Sequence, residues 1–169
     1  MITPLLASDR IAVPWKNGGG VTREVTVFPP GAGIDAFDWR VSMAEVTQAG
    51  PFSLFEGIDR HLTVLRGRLR LDFSDRSLTL GPLDSVAFSG SAPVYGVPLE
   101  PVLDLNVMTR RDLAQASVRQ VESRVVLVGR VALLIDVRSL DALLLIDESS
   151  CDAPAGQSLL IEIDDARKV

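Results

Sequence analysis

Rare residue types gather near the start of the chain. Pro14-Trp15-Lys16-Asn17-Gly18-Gly19-Gly20 holds one of the two Trp, one of the two Lys and one of the two Asn in 169 residues, and runs on into Val21-Thr22-Arg23-Glu24. An ammonium beside successive glycines is anion chemistry. Residues without Cβ reach positive φ cheaply, so their N–H groups can turn inward together as a concave nest with Lys16 above it. The same glycines also suit a plain hairpin connection. Neither nucleotide fingerprint fits, because the phosphate-loop spacing and Gly-x-Gly-x-x-Gly are both absent.

Arg40, Ser42, Arg60 and Asn106 extend this stretch into a cationic, amide-rich set with Lys16, Asn17, Thr22 and Glu24. Arg offers a planar fork to a carboxylate, and Asn offers both a donor and an acceptor to an amide. Together they would read an acidic, amide-bearing metabolite, with Trp15 walling one side. In a chain with 15 Arg and 2 Lys, a lysine at position 16 points to a compact ammonium at that place. Each arginine alone is equally well explained by a surface ion pair, so the argument rests on the set.

A second constellation uses the single His. His61 has Asp59 two residues before it, on the same side of an extended segment, and Tyr95, the single Tyr, can serve as a second acid. That set would suit proton transfer in an isomerase or epimerase. Against it stands the structural reading of His61 as a satisfied imidazole at a strand start and Tyr95 as a strand-end residue beside Gly96. A metal site fails on inventory, since the usual barrel site needs several imidazoles and no dense acidic loop offers a Mg or Ca cage. No metal and no cofactor is therefore expected. Cys151 stands alone, which excludes an intrachain disulfide and fits an inert thiol in a reducing compartment.

The elements that must position these residues read with period two almost throughout, so the chain is expected to be all-β. Val21 to Phe28 sets Thr22, Glu24 and Thr26 against Val21, Arg23, Val25 and Val27. Asp38 to Glu45 sets Arg40, Ser42 and Ala44 against Trp39, Val41, Met43 and Glu45. Val102 to Thr109 sets Asp104, Asn106 and Met108 against Leu103, Leu105 and Val107. Further strands are expected at 62–65, 68–73, 77–80 and 84–88, then at 125–128, 131–136, 143–147 and 158–163. Arg110 to Gln120 is expected to be a short helix or an irregular crossing. Closely spaced short strands suggest a sandwich or barrel. Almost all rare polar features precede residue 112, so the site should be built by the first two thirds, with the greasier last third as packing.

A chain of this length with 47% hydrophobic residues can bury one sizeable core. Its charge of -5 and pI near 4.9 argue against nucleic acid, which needs a basic surface. The longest apolar runs fall far short of the roughly 20 residues of a membrane span, and the start lacks a secretory pattern. A cytoplasmic protein with no nucleic-acid or membrane partner is the expectation.

Four motifs in order resemble the HutD/Ves family: the stretch at 14–20 with Thr22 and Glu24; Trp39-Arg40-Val41-Ser42 leading to Glu45; Gly50-Pro51-Phe52-Ser53-Leu54-Phe55 with Gly57 and Asp59-Arg60; and Asp104-Leu105-Asn106-Val107-Met108 with Arg110. The resemblance implies a cupin-like double barrel (bicupin) in a single compact chain spanning residues 1–169. Roughly 1–112 would form the first, motif-bearing barrel and 113–169 the second. It further implies a bacterial, metal-free ligand-binding protein linked to histidine utilisation, with a governing role toward an intermediate such as formylglutamate. The expected partners are that small carboxylate metabolite and, in assembly, a second copy as a homodimer.

Overall fold

The computed structural model describes residues 1–128 and 130–165. Alternating apolar and polar residues rich in Val, Leu and Ile favour pleated, half-buried ladders, and the described residues contain no α-helix. In chain order the strands are β1 (Ile2–Leu5), β2 (Ala12–Pro14), β3 (Gly20–Phe28), β4 (Trp39–Val46), β5 (Gly50–Pro51), β6 (Ile58–Arg66), β7 (Leu69–Asp72), β8 (Ser77–Leu80) and β9 (Ser85–Ser89). They continue with β10 (Tyr95–Pro98), β11 (Val102–Arg110), β12 (Ala114–Val121), β13 (Val125–Val126), β14 (Val131–Asp136), β15 (Ala142–Ile146), β16 (Ser150–Cys151) and β17 (Ser158–Asp165).

The chain divides into two compact units, Ile11–Asp112 and Met1–Arg10 with Leu113–Val169. In the first, an antiparallel sheet runs β2-β3-β4-β11-β6-β9 and a second runs β5-β10-β7-β8. Inward positions of β6 and β7, Leu62, Val64, Leu69 and Leu71, are fully buried and pack with Val46, Leu80 and Val102 into one core, against which Trp15 and Phe52 lean. A smaller cluster joins Val27, Phe37, Ile58 and Met108. The turn from β6 to β7 requires glycine: Gly67 has φ +80°, and a Cβ there would strike the Pro101 carbonyl.

In the other unit the sheet order is β1-β15-β14-β17-β12, with β13 paired to β16. Its core is formed by residues such as Leu134, Leu145 and Leu160, each 1% exposed or less.

The expected all-β class is what the ladders show. No sheet returns to its first strand, so the sheets are open. In the stretch expected as a helix or crossing at 110–120, Arg110 ends β11, residues 111–113 turn, and the rest belongs to strand β12, paired along its full length with β17 from Ala114↔Asp165 to Val121↔Ser158. A waiting partner edge overrides the mixed local preference of Ala-Gln-Ala-Ser-Val-Arg-Gln-Val. No helix among the described residues is long and apolar enough to cross a membrane.

Candidate functional site

Side chains directly opposed across an antiparallel ladder share a face. Asp104 of β11 lies opposite Ala44, Asn106 opposite Ser42 and Met108 opposite Arg40 of β4, while Met108 also faces Arg60 of β6. On β3, Thr22 faces Ala44 and Glu24 faces Ser42. One face of the large sheet thus presents three polar rows: Thr22-Ala44-Asp104, Glu24-Ser42-Asn106 and Arg40-Met108-Arg60. A cavity of about 420 Å³ opens over it, closed by Trp15, Lys16 and Asn17 on one side and by Phe52 and Phe55 on another.

The β2–β3 hairpin carries the first side. Trp15 N donates to Gly20 O at 2.9 Å, Gly18 N to Trp15 O at 3.0 Å, and Gly19 N to the Asn17 Oδ1 at 2.9 Å. Gly18 (φ +72°) makes the tight turn. The amides of Gly18 and Gly19 are therefore engaged in closing the hairpin, and the nest expected from the glycine run is replaced by this internal bonding. Gly20 serves close approach: a Cβ would meet the Glu45 carbonyl and come 3.0 Å from the Trp15 ring. The indole Nε1 donates to Thr22 Oγ1 at 2.7 Å, which seats the ring as a wall. Lys16 and Asn17 are exposed at the rim.

Arg40 donates from Nε to Glu24 Oε2 at 2.8 Å and from Nη1 to Ser42 Oγ at 3.5 Å. Glu24 is thus held beside the cavity through Arg40 and is not one of its lining residues. Arg60 is 8% exposed. Its Nη2 donates to Asn106 Oδ1 at 3.0 Å and its Nη1 to Ser53 O at 3.4 Å, while Nε is buried without a partner. The rings of Phe52, Phe55 and Phe88 stand 5.3, 5.5 and 5.1 Å from its guanidinium carbon, within cation–π range. Burial draws its pKa down to about 10, against the opposing pull of Asp104, so it remains a cation at neutral pH.

Asp104, 1% exposed, completes a chain of contacts: Asn106 Nδ2 donates to its Oδ1 at 3.1 Å. Burial pushes its pKa up to about 7, restrained by the Arg60 charge and the Asn106 hydrogen bond. Asp104 was not among the site residues expected from sequence. Its signal was present in its place two residues before Asn106 on an alternating strand.

The proton-transfer set lies elsewhere. His61 neighbours Arg60 on β6 and so points to the opposite face, with Nδ1 buried and unpartnered and its pKa lowered by burial. Asp59 accepts from Arg111 Nε and Nη2 at 3.0 and 2.8 Å. Tyr95, 46% exposed, lines a separate cleft with Phe73 and Leu54. None of the three lines the cavity, because strand alternation and sheet membership separate them from it. Among the described residues, no group of three or more His, Cys, Asp or Glu is placed to hold a metal ion.

The HutD family model matches residues 7–167. A Pseudomonas putida relative, described as an uncharacterized 21.2 kDa protein in the hutC 3' region, is 46% identical over 93 residues. That match takes in 53% of this chain and 48% of the relative, about half its length. The structure of HutD from Pseudomonas fluorescens SBW25 (formate condition) is similar with a TM-score of 0.87 at 28% identity, covering 98% of this chain and 99% of that one. A conserved protein of unknown function from Pseudomonas aeruginosa PAO1 gives a TM-score of 0.85 at 25% identity, covering 97% and 99%.

Proposed function

This chain belongs to the HutD family, and from that premise we propose that it binds a small carboxylate metabolite carrying an amide, of the formylglutamate kind, in a governing role over histidine utilisation. The observation that carries this reading is the convergence of Lys16, Arg40, Arg60 and Asn106 on one cavity of about 420 Å³, a size suited to a small metabolite. Lys16 at the rim and Arg40 on β4 neutralise the ligand's carboxylates. Arg60 supplies positive charge from the floor, and the second N–H of Asn106 Nδ2 meets a ligand carbonyl. Trp15, Phe52 and Phe55 cover the ligand's carbon skeleton. This function calls on no metal and no turnover. The same reading takes the two units as the halves of a cupin-like fold, acting in the cytoplasm, singly or as a homodimer.

Calorimetric titration with formylglutamate, urocanate and glutamate tests it. Saturable heat with formylglutamate is expected. Absence of heat with all three at millimolar ligand removes the ligand class.

A further inference from the structure

Two ionisable side chains lie at the floor of the cavity, Arg60 and Asp104, each more than nine-tenths buried and joined only through the Asn106 amide. Asn106 accepts from the cation on one side and donates to the carboxyl on the other, so its orientation is locked. Among the described residues, Arg60 is the one buried cation available both to Asp104 and to an arriving carboxylate. Two anions sharing a desolvated site with a single buried cation repel, and the weaker acid of the two is neutralised by a proton.

We propose, building on the carboxylate-binding reading, that the cavity binds its anionic ligand with Asp104 in the carboxylic acid form, so that Asp104 takes a proton from solvent wherever it was ionised before binding. The balance is simple: ligand anion and H⁺ enter, Asp104 changes from carboxylate to carboxylic acid, and no covalent bond of the ligand breaks. The protonated carboxyl then offers an O–H donor to a ligand oxygen where the carboxylate could only repel it. The coupling makes the protein a sensor of pH as well as of ligand.

The charged groups around Asp104 are few. Lys16 faces the cavity from the hairpin, Arg40 from β4 with Glu24 of β3 paired to it, and Arg60 from β6. Thr22, Ser42, Ala44 and Asn106 are uncharged. His61 lies on the other face of β6, and burial lowers its pKa. With Asp104 titrating near 7 in the free protein, protonation is about half complete at pH 7 and is driven to completion by the ligand.

The experiment is calorimetric titration of the full chain with formylglutamate at pH 7 in phosphate and in Tris, whose ionisation enthalpies differ, and again at pH 6 and pH 8. Uptake of about half a proton per ligand at pH 7 is expected, with affinity about tenfold tighter at pH 6 than at pH 8. Asp104→Asn, an uncharged isostere of the acid form, should abolish the uptake and bind at pH 8 about as tightly as the wild type does at pH 6. Equal heats in both buffers with equal affinity at pH 6 and 8 overturn the proposal and leave the carboxylate reading standing. A pH dependence that survives in Asp104→Asn also overturns it. No heat with any carboxylate overturns both. If circular dichroism shows Asp104→Asn to be unfolded, the wild-type buffer comparison decides alone.

Discussion

Arg40 and Arg60 carry the same charge in very different surroundings. Arg60 is enclosed by three rings and pinned by Asn106, so it shapes the cavity floor. Arg40, with a side chain 16% exposed, is tied to a more open Glu24. An ion pair of that kind contributes little to stability, whereas a charge-assisted hydrogen bond to a ligand carboxylate contributes on the order of 1.5–3 kcal/mol. Arg40→Met is therefore expected to weaken formylglutamate roughly 10- to 100-fold while shifting the urea midpoint only slightly; unchanged affinity would remove Arg40 from the site. His61→Gln should leave the same affinity untouched, because the imidazole faces away from the cavity. Loss of binding in that variant would return the proton-transfer reading to consideration. At this scale the sequence was informative where a residue type was scarce: Lys16, Asn17 and Asn106 stood out by rarity. Asp104 did not, because its behaviour comes from desolvation, which is a property of the packed strands and not of the residue type.

Strand alternation decided which side chains meet. The pairing of Arg40 with Ser42, and of Asp104 with Asn106 and Met108, on single faces was legible from period two. Which face lines a cavity was not, since both faces of β4 and β11 are largely buried. β3 departs from simple alternation. Its register shifts between Glu24 and Thr26, so Thr26 pairs with Val41 and Val27 with Arg40. Thr26 thereby leaves the face it would have shared with Thr22 and Glu24, and Val27 joins the cluster of Phe37, Ile58 and Met108. A bulge of this kind inserts one residue and reverses the faces beyond it, leaving little trace in composition. The short strands β1, β2 and β5 were also missed, as two to four residues containing Pro or Gly carry too little periodicity to read. At the hairpin, Gly20→Ala tests how tightly the element is fitted. Its Cβ would collide with backbone and press on the Trp15 ring, which cannot yield without leaving Thr22. A loss of about 1–3 kcal/mol in urea unfolding is expected, with a shifted tryptophan emission maximum. A neutral result would mean that Trp15 is not held as a wall.

Across the molecule, an acidic chain of net charge -5 concentrates three cations around one cavity, and within the Ile11–Asp112 unit burial shifts the pKa of buried Asp104 upward and that of half-buried His61 downward. The folded pKa of Asp104, about 7, is above the ordinary carboxylate value of 3.8, so between these values the native chain holds a proton that the unfolded chain has lost. Stability from this group is therefore present at low pH and falls as pH rises through 7. For His61 the folded pKa is depressed below 6.5: the unfolded chain holds the extra proton, and stability falls as pH drops below that value. The two slopes have opposite signs. Single substitutions separate them. His61→Gln should expose the Asp104 slope, a loss of about 1 kcal/mol from pH 6 to pH 8, or roughly 3 °C in Tm for a chain of this size. Asp104→Asn should show the reverse trend, with Tm lower at pH 6 than at pH 8. Both Trp of the chain, Trp15 and Trp39, belong to the unit that contains the two titrating groups, so tryptophan fluorescence follows the relevant transition. A Tm of His61→Gln that stays flat from pH 6 to 8 would show that Asp104 is not held near neutrality by burial, and would remove the basis for a proton entering with the ligand.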